Sequence, residues 1–161
     1  MRFRQRHAHE SMYNYVKGVL AATGWTGSTP PLGAPAMTVL DYEPQEAGEI
    51  PPIQSVCISF GDQKSIGTFD LGGGLYEVHY PVFIDIYPEN ESIGISIGED
   101  ISDALIENYL HLIDYTGSTP VDTGNVMEIT DVQVCPIPTS GKMDKRSWRV
   151  VKAMAKLQYT P

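Results

Sequence analysis

Apolar residues recur at three- and four-residue steps between His9 and Thr23, at Met12, Tyr15, Val16, Val19 and Leu20. That spacing predicts one amphipathic helix, with Gly24 placed as its C-terminal stop. The following WTGSTPPLGAPA cannot continue a helix, so Gly27 to Ala36 reads as a connector with polyproline character. Beyond it the period changes from helical to alternating. Met37–Tyr42 and Ile53–Phe60 read as strands, the second with Val56, Ile58 and Phe60 alternating with Cys57 and Ser59. The acidic, proline-rich EPQEAGEIPP between them is a surface turn. Gly61–Gly74, GDQKSIGTFDLGGG, holds five glycines and leads into another alternating run, Leu75–Tyr87. The two β-rich runs read as a long hairpin with a flexible tip at about 61–74, an ordinary surface loop being the alternative.

After Tyr87 two periods compete. Ile93, Ile95 and Ile97 alternate as in a strand, whereas Ile93, Ile97, Ile101 and Leu105 form a stripe at four-residue steps. The stripe persists after the alternation fails, so a helix over about Ser92–Asn108 is predicted, preceded by the capping residues of YPENES. On it Glu99, Asp103 and Glu107 fall opposite the isoleucines, one above the next. Like charges at this spacing repel by a few tenths of a kcal/mol per pair, so the stripe gains from solvent or from a basic partner. Gly94 and Gly98 share a face of the same helix, each costing about 1 kcal/mol of propensity. They fit a place where another backbone comes close, unless they are simply tolerated. Tyr109–Asn125 reads as a long turn-rich connection, and Val126–Cys135 and Trp148–Tyr159 as two last strands. The order α-β-β-β-α-β-β, with strands in runs, predicts an α+β domain: a mostly antiparallel sheet packed by two helices.

At 161 residues and 42% apolar composition, the chain suits one domain spanning 1–161 with its own core. It has no uninterrupted run of about 18 apolar residues, so no membrane partner is expected. Cys57 and Cys135 lack metal-site spacing and read as buried free thiols of a reducing compartment. Charge changes the picture more. The net charge is −9, and residues 18–141 carry 18 of the 20 acidic side chains but only one basic one, Lys64. The basic residues gather at the ends: Arg2, Arg4, Arg6 and Lys17, then Lys142, Lys145, Arg146, Arg149, Lys152 and Lys156. Such an acid block repels itself unless the basic ends fold back on it or a neighbouring copy supplies its own. The sum argues against generic nucleic-acid binding, although a nucleic-acid module using the basic termini stays as a distant alternative.

No constellation for catalysis is visible. The sequence has no G-x-S-x-G, P-loop or dinucleotide motif. His7 and His9 stand beside arginines, His79 and His111 have no matching ligand motif, and Glu99, Asp100 and Asp103 lack a second cluster to complete a Mg²⁺ shell. No enzyme activity, metal or cofactor is expected.

The run YEVHYPVFIDIYPENESIGISIGEDISDALIE, with the upstream FGDQKSIGTFDLGGG and the closing WRVVKAMAKLQY, resembles a tail terminator protein of long-tailed, siphovirus-type actinobacterial phages. The resemblance spans most of the chain, from Ser11 to Tyr159, although Tyr109–Asn125 is longer than the connection expected there. It implies a structural virion protein at the head–tail junction, assembled in the host cytoplasm as a six-fold ring on the tail tube. Such a ring stops tube polymerisation, docks to neck or head-completion proteins and leaves a channel through which DNA only passes. A neck or head-completion protein (connector or stopper) is the related alternative. In this frame Lys64, Phe69, Leu71 and Tyr76 of the hairpin are expected to contact the tube protein. Gly94, Gly98, Glu99, Asp103, Glu107, Arg149, Lys152 and Lys156 are expected at the interface between copies in the homo-oligomer. Arg2, Arg4, Arg6, Lys142, Lys145 and Arg146 are left for the neck or another partner. A ring closes through contacts between unlike patches, which an acidic centre and basic ends can supply.

Overall fold

The alternating runs assemble, in a computed structural model, into one seven-stranded sheet with both helices on a single face. The structure describes residues 4–66, 76–106, 108–137 and 148–159. Helix α1 (Arg4–Ala22) is followed by a 3-10 turn at Pro31–Gly33 and by strands β1 (Thr38–Leu40), β2 (Ser55–Phe60), β3 (Lys64–Ile66) and β4 (Tyr76–Tyr87). Then come α2 (Glu91–Leu105), β5 (Tyr109–Asp114), β6 (Val121–Ile137) and β7 (Trp148–Tyr159). The sheet order is β1-β2-β4-β7-β6-β5, with β3 also pairing β4, and every pairing is antiparallel except β1 with β2. The α+β class and the mostly antiparallel sheet follow the sequence pattern.

The alternation fixes which side chains point where. Val78, Tyr80, Val82, Ile84 and Ile86 of β4 and Val151, Ala153, Ala155 and Leu157 of β7 are buried on the helix-bearing face. They meet Met12, Val16 and Leu20 of α1 and the Ile93, Ile97, Ile101 and Leu105 stripe of α2. Gly24 ends α1 at φ +89°, with Trp25 N–H donating to Leu20 O and Gly24 N–H to Ala21 O, the Schellman pattern. Asn90 caps α2 by accepting from Ile93 N–H at 3.0 Å. Tyr15 Oη donates to Ala104 O at 2.8 Å and ties α1 to α2.

Three segments differ from the sequence expectation. Helix α1 already includes Arg4, ahead of the expected His9, and His7 and Ala8 are buried on its inner face although the neighbouring residues are polar. The presumed connection after α2 contains β5, in which Leu110 and Leu112 point into the core. It runs into a β6 that begins at Val121 and absorbs the turn-like TGN through a register shift with Gly124 at φ +78°. The hairpin of β2 and β4 is present, from Ser55↔Tyr87 to Phe60↔Val82, and β3 extends it by pairing Lys64–Ile66 with Glu77–His79. Between β2 and β3, Gly61 N–H donates to Pro81 O at 2.8 Å, and Pro81 sits where the ladder is interrupted. Of the expected flexible tip at 61–74, residues 67–74 lie outside the described residues.

Gly94 and Gly98 serve the chain's own packing. A Cβ on Gly94 would stand 2.7 Å from Pro88 Cγ, and one on Gly98 3.2 Å from Val134 Cγ1. The Pro88 ring cannot rotate aside, whereas the Val134 methyl is the end of a side chain. Gly94→Ala is therefore expected to lower stability by about 1–2 kcal/mol despite the ~1 kcal/mol gain in helix propensity. Gly98→Ala is expected to stay within about 0.5 kcal/mol of the parent, since gain and crowding nearly offset. Urea unfolding midpoints of the two variants check the difference.

Candidate assembly surfaces

On α2 the inward stripe leaves Glu99 and Asp103 outward and exposed, as their spacing predicted, with neither carboxylate in an ion pair among the described residues. Glu107 lies outside the described residues. The three basic residues of β7 separate by the pleat. Odd positions face the helices, so Arg149 turns towards α2, is only 14% exposed and pairs with Glu91 at 3.3 Å. It also packs beside Gly94. Arg149 thus has a partner within its own chain, and the two glycines pack against Pro88 and Val134 of that chain. Even positions face the other way: Lys152 is exposed and Lys156 half-buried on the side of the sheet without helices. Lys156 stands across from Glu128 and beside His79 in the ladder. Its charge, together with hydrogen bonds from His79 and Gln158, holds the Glu77 carboxyl below its ordinary range, the His79 bond being the largest cause.

Glu99 and Asp103 therefore lie on the helix side of the molecule, and Lys152 and Lys156 on the helix-free side. The sheet edges are blunted from within. On β5, Ser11 Oγ accepts from Ile113 N–H at 2.9 Å and Asn108 Oδ1 accepts from Tyr109 N–H at 2.8 Å. Past the end of β1, His9 Nε2 donates to Ile58 O at 3.2 Å, and Tyr13 Oη donates to Val39 O at 3.4 Å. Backbone groups occupied in this way are poor templates for strand addition, which leaves the faces as the surfaces for association.

The remaining candidate residues distribute as follows. Lys64 is exposed in β3, opposite His79. Tyr76 opens β4, 40% exposed and stacked on Tyr159 with ring centroids 5.8 Å apart. The Arg4 guanidinium lies 4.3 Å above the centroid of that same Tyr159 ring. Arg4 and Tyr76, expected at different partners, thus meet in one aromatic cluster at the hairpin end of the sheet. Arg6 pairs with Glu10 one helical turn away at 2.8 Å. Arg2, Phe69, Leu71, Lys142, Lys145 and Arg146 lie outside the described residues.

Sequence reasoning missed a buried polar cluster beneath residues 41–54, which contains Glu43, Asp85 and Tyr87. Its one signal was Asp85, a lone carboxylate between Ile84 and Ile86 in an apolar strand. Cys57 is fully buried beside it, and desolvation, reinforced by Glu43, pushes its thiol up to about 12, which keeps it protonated and unreactive. Among the described residues, no group of three or more His, Cys, Asp or Glu side chains is placed to hold a metal ion. None of the helices among them is long and apolar enough to cross a membrane. No protein-family model and no curated protein matches the sequence.

Proposed function

We propose that the chain is a tail terminator subunit of a long-tailed phage. Copies close head to tail into a ring, a hexamer by the family resemblance, which caps the tail tube and stops its polymerisation. The ring sits at the head–tail junction of the virion, joins the tail to neck or head-completion proteins and leaves a channel for DNA. The observation that carries this reading is the placement of Glu99 and Asp103 on one outer surface and of Lys152 and Lys156 on the opposite one. A closed ring of identical subunits needs one patch to complement a different patch on the next copy, and charges of opposite sign on opposite sides provide that. Blunted sheet edges favour face-to-face contact over open-ended strand pairing. The net charge of −9 suits a channel wall that lets DNA pass without holding its phosphates.

The test is made in assembly. Mixed with its tube protein, the purified chain is expected to form closed rings on tube ends, visible in negative stain, with a mass near six subunits. Phage particles lacking it are expected to carry overlong tails. A monomer that ignores tube ends, together with tails of normal length in its absence, would refute the proposal.

A further inference from the structure

The parallel pair β1–β2 needs a crossover, and residues 41–54 supply it as a strap over the helix-free face of the sheet. Its turn is closed by its own backbone, with Glu46 N–H donating to Glu43 O and Glu49 N–H to Pro44 O. It re-enters the sheet at Gln54, held at φ +60°, an unfavourable backbone for glutamine. Its side-chain fastenings include Gln54, whose Oε1 accepts from Glu89 N–H at 2.9 Å, and Glu43, which is only 7% exposed. Tyr87 Oη donates to Glu43 Oε1 at 2.9 Å, and Gln45 Nε2 donates to Tyr87 Oη at 2.7 Å. Next to them Asp85, also 7% exposed, accepts from Trp148 Nε1 at 3.0 Å. Asp85 and Tyr87 stand two residues apart on the same face of β4, which places the Asp85 carboxyl beside the Glu43 carboxyl that Tyr87 holds. Glu43 Oε2 is buried with no conventional donor. Two buried carboxylates side by side repel strongly, and an orphaned buried oxygen is costly. One hydrogen placed between them resolves both problems.

We propose that Asp85 keeps its carboxyl proton in the folded chain and directs it at Glu43, and that this proton latches the 41–54 strap onto the sheet, so that the latch weakens as the proton is lost towards neutral pH. Burial and then the Glu43 charge raise the Asp85 carboxyl from its ordinary 3.8 to about 7, while the Trp148 bond works the other way. The groups facing it are all acidic or neutral: Glu43 and Glu46 from the strap, Tyr87 from β4, Cys57 from β2 and Trp148 from β7. From α1, Arg6 and His9 line the groove they share with Glu43 and Glu46, and Arg6 is already paired with Glu10. The folded chain thus holds a proton that the unfolded chain releases between about pH 4 and pH 7. The stability it confers is fully present below about pH 4 and is lost as pH rises through about 7. Above that, the strap is held against two charges.

Amide hydrogen exchange of the full chain between about pH 5 and pH 9, corrected for the intrinsic rate, reads the latch. Protection of 41–54 in the parent is expected to fall by about tenfold or more across neutrality. Asp85→Asn can accept from Trp148 and donate to Glu43 at every pH. It is expected to hold the strap's protection within about twofold over the same range, and to melt higher than the parent at pH 8 but not at about pH 4 or below. Carboxyl carbon-13 shifts of Asp85 in the unaltered chain provide a second measurement that needs no variant. Strap protection independent of pH, an Asp85 that titrates below about pH 5, or opening of the strap by a chelator at pH 6 would each overturn the proposal, the last by replacing the proton with a cation.

Discussion

Trp25→Ala is expected to remove about 3–5 kcal/mol of stability, the range for deleting a large buried aromatic side chain. Trp25 is 1% exposed, and it joins three elements just beyond the Gly24 cap. Its N–H donates to Leu20 O at the end of α1, its carbonyl accepts from Met37 N–H before β1, and Nε1 donates to Asp100 Oδ2 of α2 at 2.7 Å. The alanine variant loses the packed indole and leaves the Asp100 carboxylate without its donor. Trp25→Phe separates the two effects. It keeps most of the apolar volume and is expected to cost about 1–3 kcal/mol, the range for a hydrogen bond to a charged group. Urea unfolding followed by the fluorescence of Trp148 or by circular dichroism gives both values. A loss below about 1 kcal/mol for the alanine variant would mean that the α1–α2 contact does not depend on this side chain.

Elements with a long, regular period were legible. The four-step isoleucine stripe identified α2 against the competing alternation of Ile93, Ile95 and Ile97, and the same stripe put Glu99 and Asp103 outward. Alternation identified β4 and β7, and Gly24 marked the end of α1. What escaped depended on context. Tyr109–Asp114 has only two inward leucines between turn-like neighbours, too short a pattern to outweigh the glycines and prolines that follow. The Asp131 bulge, at φ +54°, shifts the β6 register and turns Val134 towards α2, which simple alternation cannot foresee. The glycines did signal close approach, but sequence does not say whose backbone or side chain approaches, and here it is Pro88 and Val134 of the same chain. Arg149 was grouped with Lys152 and Lys156 by charge, although its odd position already shared the face of Val151 and Ala153. The Glu43–Asp85 juxtaposition joins residues 42 positions apart and exists only once the crossover has folded over the sheet.

Reversing one charged patch is expected to abolish ring formation, and reversing both to restore it. In Glu99→Lys/Asp103→Lys the helix exchanges one like-charge pair for another of equal spacing. Neither carboxylate has an ion pair to lose, so the fold is expected to melt within a few degrees of the parent. The next copy's Lys152 and Lys156 would then meet lysines, and association between subunits is expected to weaken at least about 100-fold, roughly 3 kcal/mol. Lys152→Glu/Lys156→Glu has the same expected effect on association. It also costs a few tenths of a kcal/mol of stability, because residue 156 stands across the ladder from Glu128. The quadruple variant pairs lysine with glutamate again, in the opposite sense, and is expected to recover most of the ring population seen by mass photometry. Raising the salt from about 0.05 M to 0.5 M is expected to weaken the parent ring and to relieve the repulsion in the two half-reversed variants, since screening acts on attraction and repulsion alike. Recovery in the quadruple variant is the decisive measurement. Two independent surface defects would add, whereas two halves of one interface compensate, and a quadruple variant no better than its parents would separate these patches from ring closure.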